Sequence, residues 1–353
     1  MKRRYVILAN DAFAGDAKTA HGVIAYGEDE TVAVIDPSVA GKRVRDVLPY
    51  LQSDAPIVAS LADALRFEPT ALLIGTAPIG GALPASWRAE VRAALEAQLE
   101  IVSGLHDMLD DDREFKMLAQ GHGTTIWDVR KPPDVPIFSG AVYGVEAPTV
   151  LMVGNDCAVG KMTVALELAR AAKNAGRRAA FVPTGQTGIM IAGWGIAVDR
   201  VIGDFAPGAA EMLVRYAAQS KPDVIFVEGQ GGINHPAYAP VTLSLMYGAA
   251  PDALVLVSDP SRATVSGFAT PTLDYRTLIR LHEQILATVK PARVVGIALN
   301  TRGLDDDAAR AAIARAASET RLPADDVVRF GPDALYAAIA PAFVRSAPLG
   351  DIA

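Results

Sequence analysis

A lysine behind a glycine-bounded loop is the strongest chemical signal in this chain. The run is Val150-Leu-Met-Val-Gly154, then Asn155, Asp156, Cys157, Ala158, Val159 and Gly160, then Lys161, Met162 and Thr163. It reads as apolar strand, tight loop, lysine and helix, the helix continuing through Val164–Lys173. Backbone N–H groups at a helix start face an anion and the ammonium adds a point charge, so the order predicts a cradle for a phosphate chain. A regular loop of this kind sets four residues between its glycine and Gly-Lys-Ser/Thr; here Gly154 stands one residue further out. Met162 fills the position whose hydroxyl would hold Mg²⁺. A thioether is a weak ligand for a hard cation that prefers oxygen, and Thr163 is turned roughly 100° around the helix. The cradle reads as intact and the metal site as compromised, the competing reading being a vestigial loop that binds nothing.

Other groups fall where strands are expected to end. Glu228 opens Glu228-Gly-Gln-Gly-Gly-Ile-Asn234-His235-Pro236 after an apolar run. A carboxylate there either meets a metal or accepts a proton. Thr184-Gly185-Gln186-Thr187-Gly188 sets three polar side chains around two glycines, and Asp204 precedes Phe205-Ala-Pro-Gly208. Asp204 is either a site carboxylate or an ordinary acid favoured near a helix start. Asn300 ends the run Val294–Leu299 and is either a base-reading amide or the first residue of a loop. Cys157 lies inside the cradle, where a small side chain that leaves the backbone free is a simpler account than a nucleophile. Earlier in the chain stand Gly75-Thr-Ala-Pro-Ile-Gly80-Gly81, Ser103-Gly-Leu-His106, Gly121-His-Gly123 and Arg130. His106 and His235 sit in loops where proton transfer is possible, while His282 falls in a helical pattern and is expected on the surface. No His/Cys/Asp spacing suggests zinc, and no Gly-x-Ser-x-Gly elbow suggests a serine hydrolase.

Positioning these groups requires a particular frame. Short apolar strands alternate with helical patterns, which predicts parallel α/β sheets. Val6–Ala9, Val32–Ile35, Ala71–Ile74 and Glu100–Val102 read as strands, with helices over Ser60–Phe67, Ala85–Ala97 and around Asp110–Gln120. Lys131-Pro-Pro-Asp-Val-Pro136 cannot continue a helix or a central strand and predicts the linker. A second set follows, with strands at Thr149–Val153, Arg178–Val182, Asp223–Val227, Ala253–Val257 and Arg293–Leu299. Its helices span Gly160–Ala175, Gly208–Ser220, Asp274–Val289 and Asp306–Glu319. Two domains are therefore expected, 1–140 Rossmann-like and 141–353 carrying the phosphate loop. The 353 residues have room for both cores. An apolar fraction of 51% contains no run of the ~18 residues a membrane span needs. The start, Met1-Lys-Arg-Arg-Tyr5, has no secretory pattern, and a single cysteine suggests a reducing compartment. A cytoplasmic enzyme is the expectation. Net charge −7 argues against nucleic acid as a partner.

Taken together, Gly154–Thr163 with Met162, Thr184–Gly188, Asp204–Gly208, Glu228–Pro236 and Gly296–Thr301 resemble the two-domain P-loop family DUF1611. The Gly75–Gly81 and Ser103–His106 loops fit it too, so the resemblance covers nearly the whole chain. It implies a Rossmann-like first domain and a second similar to dethiobiotin synthetase, a branch whose loop is also long and whose members often dimerise, so a homo-oligomer is expected. The family includes a bacterial D-glutamate N-acetyltransferase that draws its acyl group from acetyl-CoA. On that implication the pyrophosphate of acetyl-CoA lies in the cradle formed by residues 155–163, Asn300 is near the adenine, and Met162 is no defect because no phosphoryl group moves. Glu228 and His106 are the first candidates for general base, with Asp204 beside them as a possible site acid. The acceptor's carboxylates would meet Gly80 and Gly81, Arg130, or Gln186 and Thr187. The alternative is a Mg·ATP-dependent ligase or kinase in which Glu228 and Thr163 hold the metal. A third reading is a nucleotide-binding regulator without turnover.

Overall fold

The computed structural model describes residues 2–76 and 80–349; Ala77, Pro78 and Ile79 of the expected Gly75–Gly81 loop lie outside them. In chain order come β1 (Arg4–Leu8), α1 (Lys18–Tyr26), β2 (Glu30–Ile35), α2 (Val44–Val47), β3 (Ile57–Val58) and α3 (Leu61–Ala64). They are followed by β4 (Ala71–Ile74), α4 (Arg88–Glu96), β5 (Glu100–Ser103), α5 (Arg113–His122) and β6 (Ile126–Asp128). Next are β7 (Thr149–Gly154), α6 (Lys161–Asn174), β8 (Ala179–Val182), α7 (Gln186–Ala192), α8 (Ala206–Ala218) and β9 (Val224–Val227). The chain ends with α9 (Ala239–Gly248), β10 (Ala253–Ser258), α10 (Tyr275–Leu286), β11 (Arg293–Leu299), α11 (Asp306–Thr320), β12 (Ala324–Asp325) and α12 (Asp333–Ile339).

Two compact units result, residues 1–132 with 186–197, and residues 133–185 with 198–353. Each is built on a six-stranded sheet whose strand pairings are parallel. The first runs β3-β2-β1-β4-β5-β6, reversing between β1 and β4. The second runs β12-β11-β10-β7-β9-β8, with β7 between β10 and β9. Strands β4, β7, β9 and β10 are buried along their whole length, as expected of a parallel sheet covered on both faces. In such sheets ligands bind beyond the carboxyl ends of the strands, at the point where the order reverses. The loops after β7, β9 and β10 are therefore brought side by side in the second unit, and those after β1 and β4 in the first. Among the described residues no helix is long and apolar enough to cross a membrane.

The division differs in two ways from the expected cut at 140. Residues 133–140 belong to the second unit, this stretch and the turn after it being held by Glu211 on α8, whose carboxylate accepts from the Ser139 amide at 2.8 Å and the Val142 amide at 3.0 Å. Residues 186–197 return to the first unit, where the expected Thr184–Gly188 loop becomes helix from Gln186 onward. Here Ile189 and Met190 are buried, and the Thr187 and Thr19 hydroxyls lie 3.1 Å apart. The short elements α2, β3, β6 and β12 carry too few residues for a periodic pattern, and α1, α7, α9 and α12 were likewise not anticipated. His282 is not on the surface as expected: it is fully buried on α10, its Nδ1–H donating to Leu278 O at 2.8 Å, and burial pushes the imidazole down to about 4.

Candidate active site

The phosphate loop is assembled by β7 and α6. Lys161 begins the helix, and its ammonium is buried, donating to the carbonyls of Asp156 and Gly231, both at 2.6 Å. Burial outweighs the neighbouring carboxylates and lowers its pKa to about 8. The amides of residues 158–163 donate to no described partner, as the first amides of a helix must unless a cap or ligand meets them. Met162 and Thr163 are both half-buried. Gly229 makes the approach of the next loop possible: a Cβ there would lie 1.6 Å from Met152 O.

Glu228 follows β9 and is buried. One carboxylate oxygen accepts from the amides of Thr184 at 2.9 Å and Gly185 at 3.0 Å. Burial raises its pKa to about 7 against those two bonds; the negative charge of Asp199 adds to the rise and Lys161 opposes it. Thr184 Oγ1 donates to Glu228 O at 2.9 Å and Gln230 Nε2 to Thr184 O at 2.6 Å, fixing the turn after β8 to the end of β9. A rigid carboxylate that titrates near neutrality is suited to moving a proton. Asp204 lies instead on an exposed turn leading into α8. The carboxylate whose charge reaches Glu228 is Asp199, five residues earlier.

Asp156, Cys157 and His235 come together, with potential ligand atoms within 4.8 Å of one another. Their hydrogen bonds commit them otherwise. The Asp156 carboxylate, fully buried, accepts from the Cys157 amide at 2.7 Å, the Ser266 amide at 2.9 Å and Arg262 Nη1 at 2.5 Å. His235 Nδ1 accepts from the Ala237 amide at 3.2 Å, which leaves the proton on Nε2, donated to Ser266 O at 3.1 Å. Such a tautomer offers no lone pair toward the cluster. Burial pushes the Cys157 thiol up, away from a reactive thiolate. Asn155 is buried with its Oδ1 unpartnered. Asn300, half-buried, turns its Oδ1 to the Arg302 amide at 3.2 Å, and the adjoining Thr301 is anchored by Asp326.

The remaining expected residues gather in the first unit. Arg130, just beyond β6, is largely buried; its Nε donates to Gly104 O and to Gln186 Oε1, both at 2.8 Å. Gln186, separated from Arg130 by more than fifty positions in sequence, thus stands beside it, while the Thr187 hydroxyl meets that of Thr19. Gly81 packs on His106: its φ is +70°, a Cβ would lie 2.3 Å from the imidazole, and its carbonyl accepts from the His106 amide at 2.8 Å. His106 and Gly80 are exposed. Sequence reasoning missed Asp199, Arg262 and Ser266. Arg262 has a signal of a kind, since Asp259-Pro-Ser-Arg262 directly follows an apolar strand.

Residues 136–336 match the family profile described as DUF1611_C, a P-loop domain, and residues 37–132 match DUF1611_N, a Rossmann-like domain, both domains of unknown function. A protein of a Pseudoalteromonas species named D-glutamate N-acetyltransferase is 36% identical over 280 residues, 79% of this chain and 83% of that protein. One of the same name from Tritonibacter scottomollicae is 35% identical over 80% of this chain and 84% of its own. The crystal structure of a DUF1611 family protein from Anabaena variabilis superposes with a TM-score of 0.91 at 40% identity, covering 96% of this chain and all of that one.

Proposed function

This chain belongs to the DUF1611 family, and from that premise we propose that it transfers the acetyl group of acetyl-CoA to the amino group of an acidic amino acid, D-glutamate being the expected acceptor. The observation that carries the reading is the pairing of a phosphate cradle bearing Met162 at the metal-holding position with a buried carboxylate, Glu228, that titrates at about 7. The 3′-phospho-ADP of acetyl-CoA needs amides and a cation and requires no phosphoryl transfer. Loop amides 158–163 and Lys161 are suited to its pyrophosphate, and the half-buried Asn300 to its adenine end.

The chemistry asks for a free amine. Glu228 accepts a proton from the acceptor's ammonium, and the amine lone pair then attacks the thioester carbonyl. The oxyanion is met by amides of the Gly229–Gly232 turn. When the tetrahedral intermediate collapses, the C–S bond breaks, the attacking nitrogen gives up its second proton to become the amide nitrogen, and CoA leaves as a thiolate that takes up that proton. Among the groups of the first unit, Arg130 and Gln186, with His106 on the adjoining loop, have the charge and hydrogen-bonding groups that suit carboxylates. A role in D-amino-acid breakdown in the cytoplasm by a homo-oligomer accords with this reading.

The test follows CoA thiol release from acetyl-CoA with D-glutamate, then L-glutamate, in the presence of EDTA. Release that depends on the amino acid and survives chelation supports the transferase. ADP formation from Mg·ATP across a panel of carboxylic acids, with no thiol release, overturns it in favour of a ligase or kinase. Met162→Thr sharpens the contrast: it gains Mg·ATP hydrolysis only if the parent's loop lacks a metal ligand.

A further inference from the structure

We infer that Arg262 is a positioning residue of the phosphate cradle: paired with Asp156, it cancels a carboxylate buried in the loop and aims loop amides at the anion, so that the cradle works without a divalent cation. The inference rests on the reading that phosphates of the acyl donor occupy this loop.

Two sets of contacts carry it. The first concerns charge. Asp156 is fully buried within the loop, and Arg262 Nη1 lies 2.5 Å from its Oδ2. A phosphate chain entering the loop meets Lys161, which favours it, and Asp156, which opposes it. With Arg262 in place the three side chains carry a net positive charge, and without Arg262 they carry none. Cradles that bind phosphates with Mg²⁺ obtain the balancing charge from the metal, whereas Met162 offers such a metal no oxygen.

The second concerns direction. Arg262 Nη1 donates to Cys157 O at 2.8 Å and Nη2 reaches Ala158 O at 3.4 Å. In a trans peptide the C=O and the following N–H point opposite ways. Drawing these two carbonyls toward Arg262 therefore turns the Ala158 and Val159 amides to the other side of the loop. Ala158 is held at φ +53°, a left-handed conformation uncommon for alanine. Arg262 is itself braced: Asp259 Oδ2 lies 3.3 Å from its Nε, and Thr272 Oγ1 donates to its carbonyl at 3.0 Å.

The test is calorimetric titration of CoA, and separately of ADP, into the parent, R262Q, D156N and D156N/R262Q, each with EDTA and with Mg²⁺. R262Q is expected to bind both ligands about 100-fold more weakly, with the KM for acetyl-CoA raised and kcat at saturation changed by only a few-fold. D156N/R262Q is expected to regain most of the affinity, because the uncompensated carboxylate is gone. R262K, which keeps the charge and loses the fork, should fall between R262Q and the parent. R262Q binding as the parent does, a double variant no better than R262Q, or parental binding that requires Mg²⁺ each overturns the inference. A parent that binds ADP and not CoA overturns the acetyl-CoA reading while leaving the Arg262 comparison decided by ADP.

Discussion

The two sheets of this protein share an architecture and differ in what they do with charge. In the second unit four ionisable groups at the carboxyl edge, Lys161, Asp156, Glu228 and His235, are at least nine-tenths buried. Burial moves Lys161 down to about 8 and Glu228 up to about 7. In the first unit the loops beyond β5 and β6 hold Arg130, itself largely buried and donating to the Gly104 carbonyl and the Gln186 amide, beside an exposed His106. A guanidinium's planar fork matches the geometry of a carboxylate ligand. Groups brought to titrate near neutrality are suited to proton transfer. On the proposed function, phosphate binding and proton transfer belong to the second unit and the candidate carboxylate-binding groups to the first.

The sharpest way to break that assignment is Glu228→Gln. Loss of a general base should cut turnover by about 10²–10⁴-fold with CoA affinity unchanged in calorimetry; unchanged turnover removes Glu228 as the base. In the parent, kcat/KM should rise with pH through about 7 as Glu228 loses its proton. Stability should move the other way. A carboxyl raised from 4.5 to about 7 on folding favours the folded state most below pH 4.5, and this contribution is lost as pH rises through about 7. The Gln variant should therefore be more stable than the parent at pH 8, by up to about 3 kcal/mol in denaturant titration.

Lys161→Met comes next. It removes the ammonium and leaves the Asp156 and Gly231 carbonyls without their donor, and CoA binding should weaken about 30-fold, or about 2 kcal/mol. The KM of the acceptor should hold, and a rise equal to that for acetyl-CoA would erase the division of labour. Arg130→Lys tests the first unit in the same manner. A lysine cannot reproduce the forked geometry, so the acceptor's KM should rise about tenfold while calorimetric CoA affinity stays constant. The smallest effect is expected from Gly81→Ala. Its left-handed φ and the 2.3 Å approach to His106 make the variant less stable by about 1 kcal/mol in thermal melts. CoA binding should not respond.

Much of this was legible along the chain because it is local. The phosphate loop, its missing hydroxyl and the acid after the next apolar run are contiguous patterns, and the strands Ala71–Ile74 and Arg293–Leu299 stand at the residues their composition indicates. Helices such as Asp306–Thr320 were foreseeable from a capping aspartate and an alanine-rich run. Burial of one helical histidine was not, because α10 offers the same spacing whether or not a neighbour covers His282. The same holds for α7, whose short run of Gln186–Ala192 carries no sign of which sheet it joins.

The sequence by itself determined the two parallel-sheet domains, the cradle and the residue types at the strand ends, since strand, loop and helix signals are read within a dozen residues. Tertiary structure decided which of those residues meet. It put Asp199 rather than Asp204 in electrostatic reach of Glu228, set Arg262 on Asp156 across more than a hundred positions, and brought Gln186 to Arg130. It also decided the protonation of Lys161 and Glu228, because a pKa depends on the water a group has lost, and that loss is fixed only when distant strands close around it.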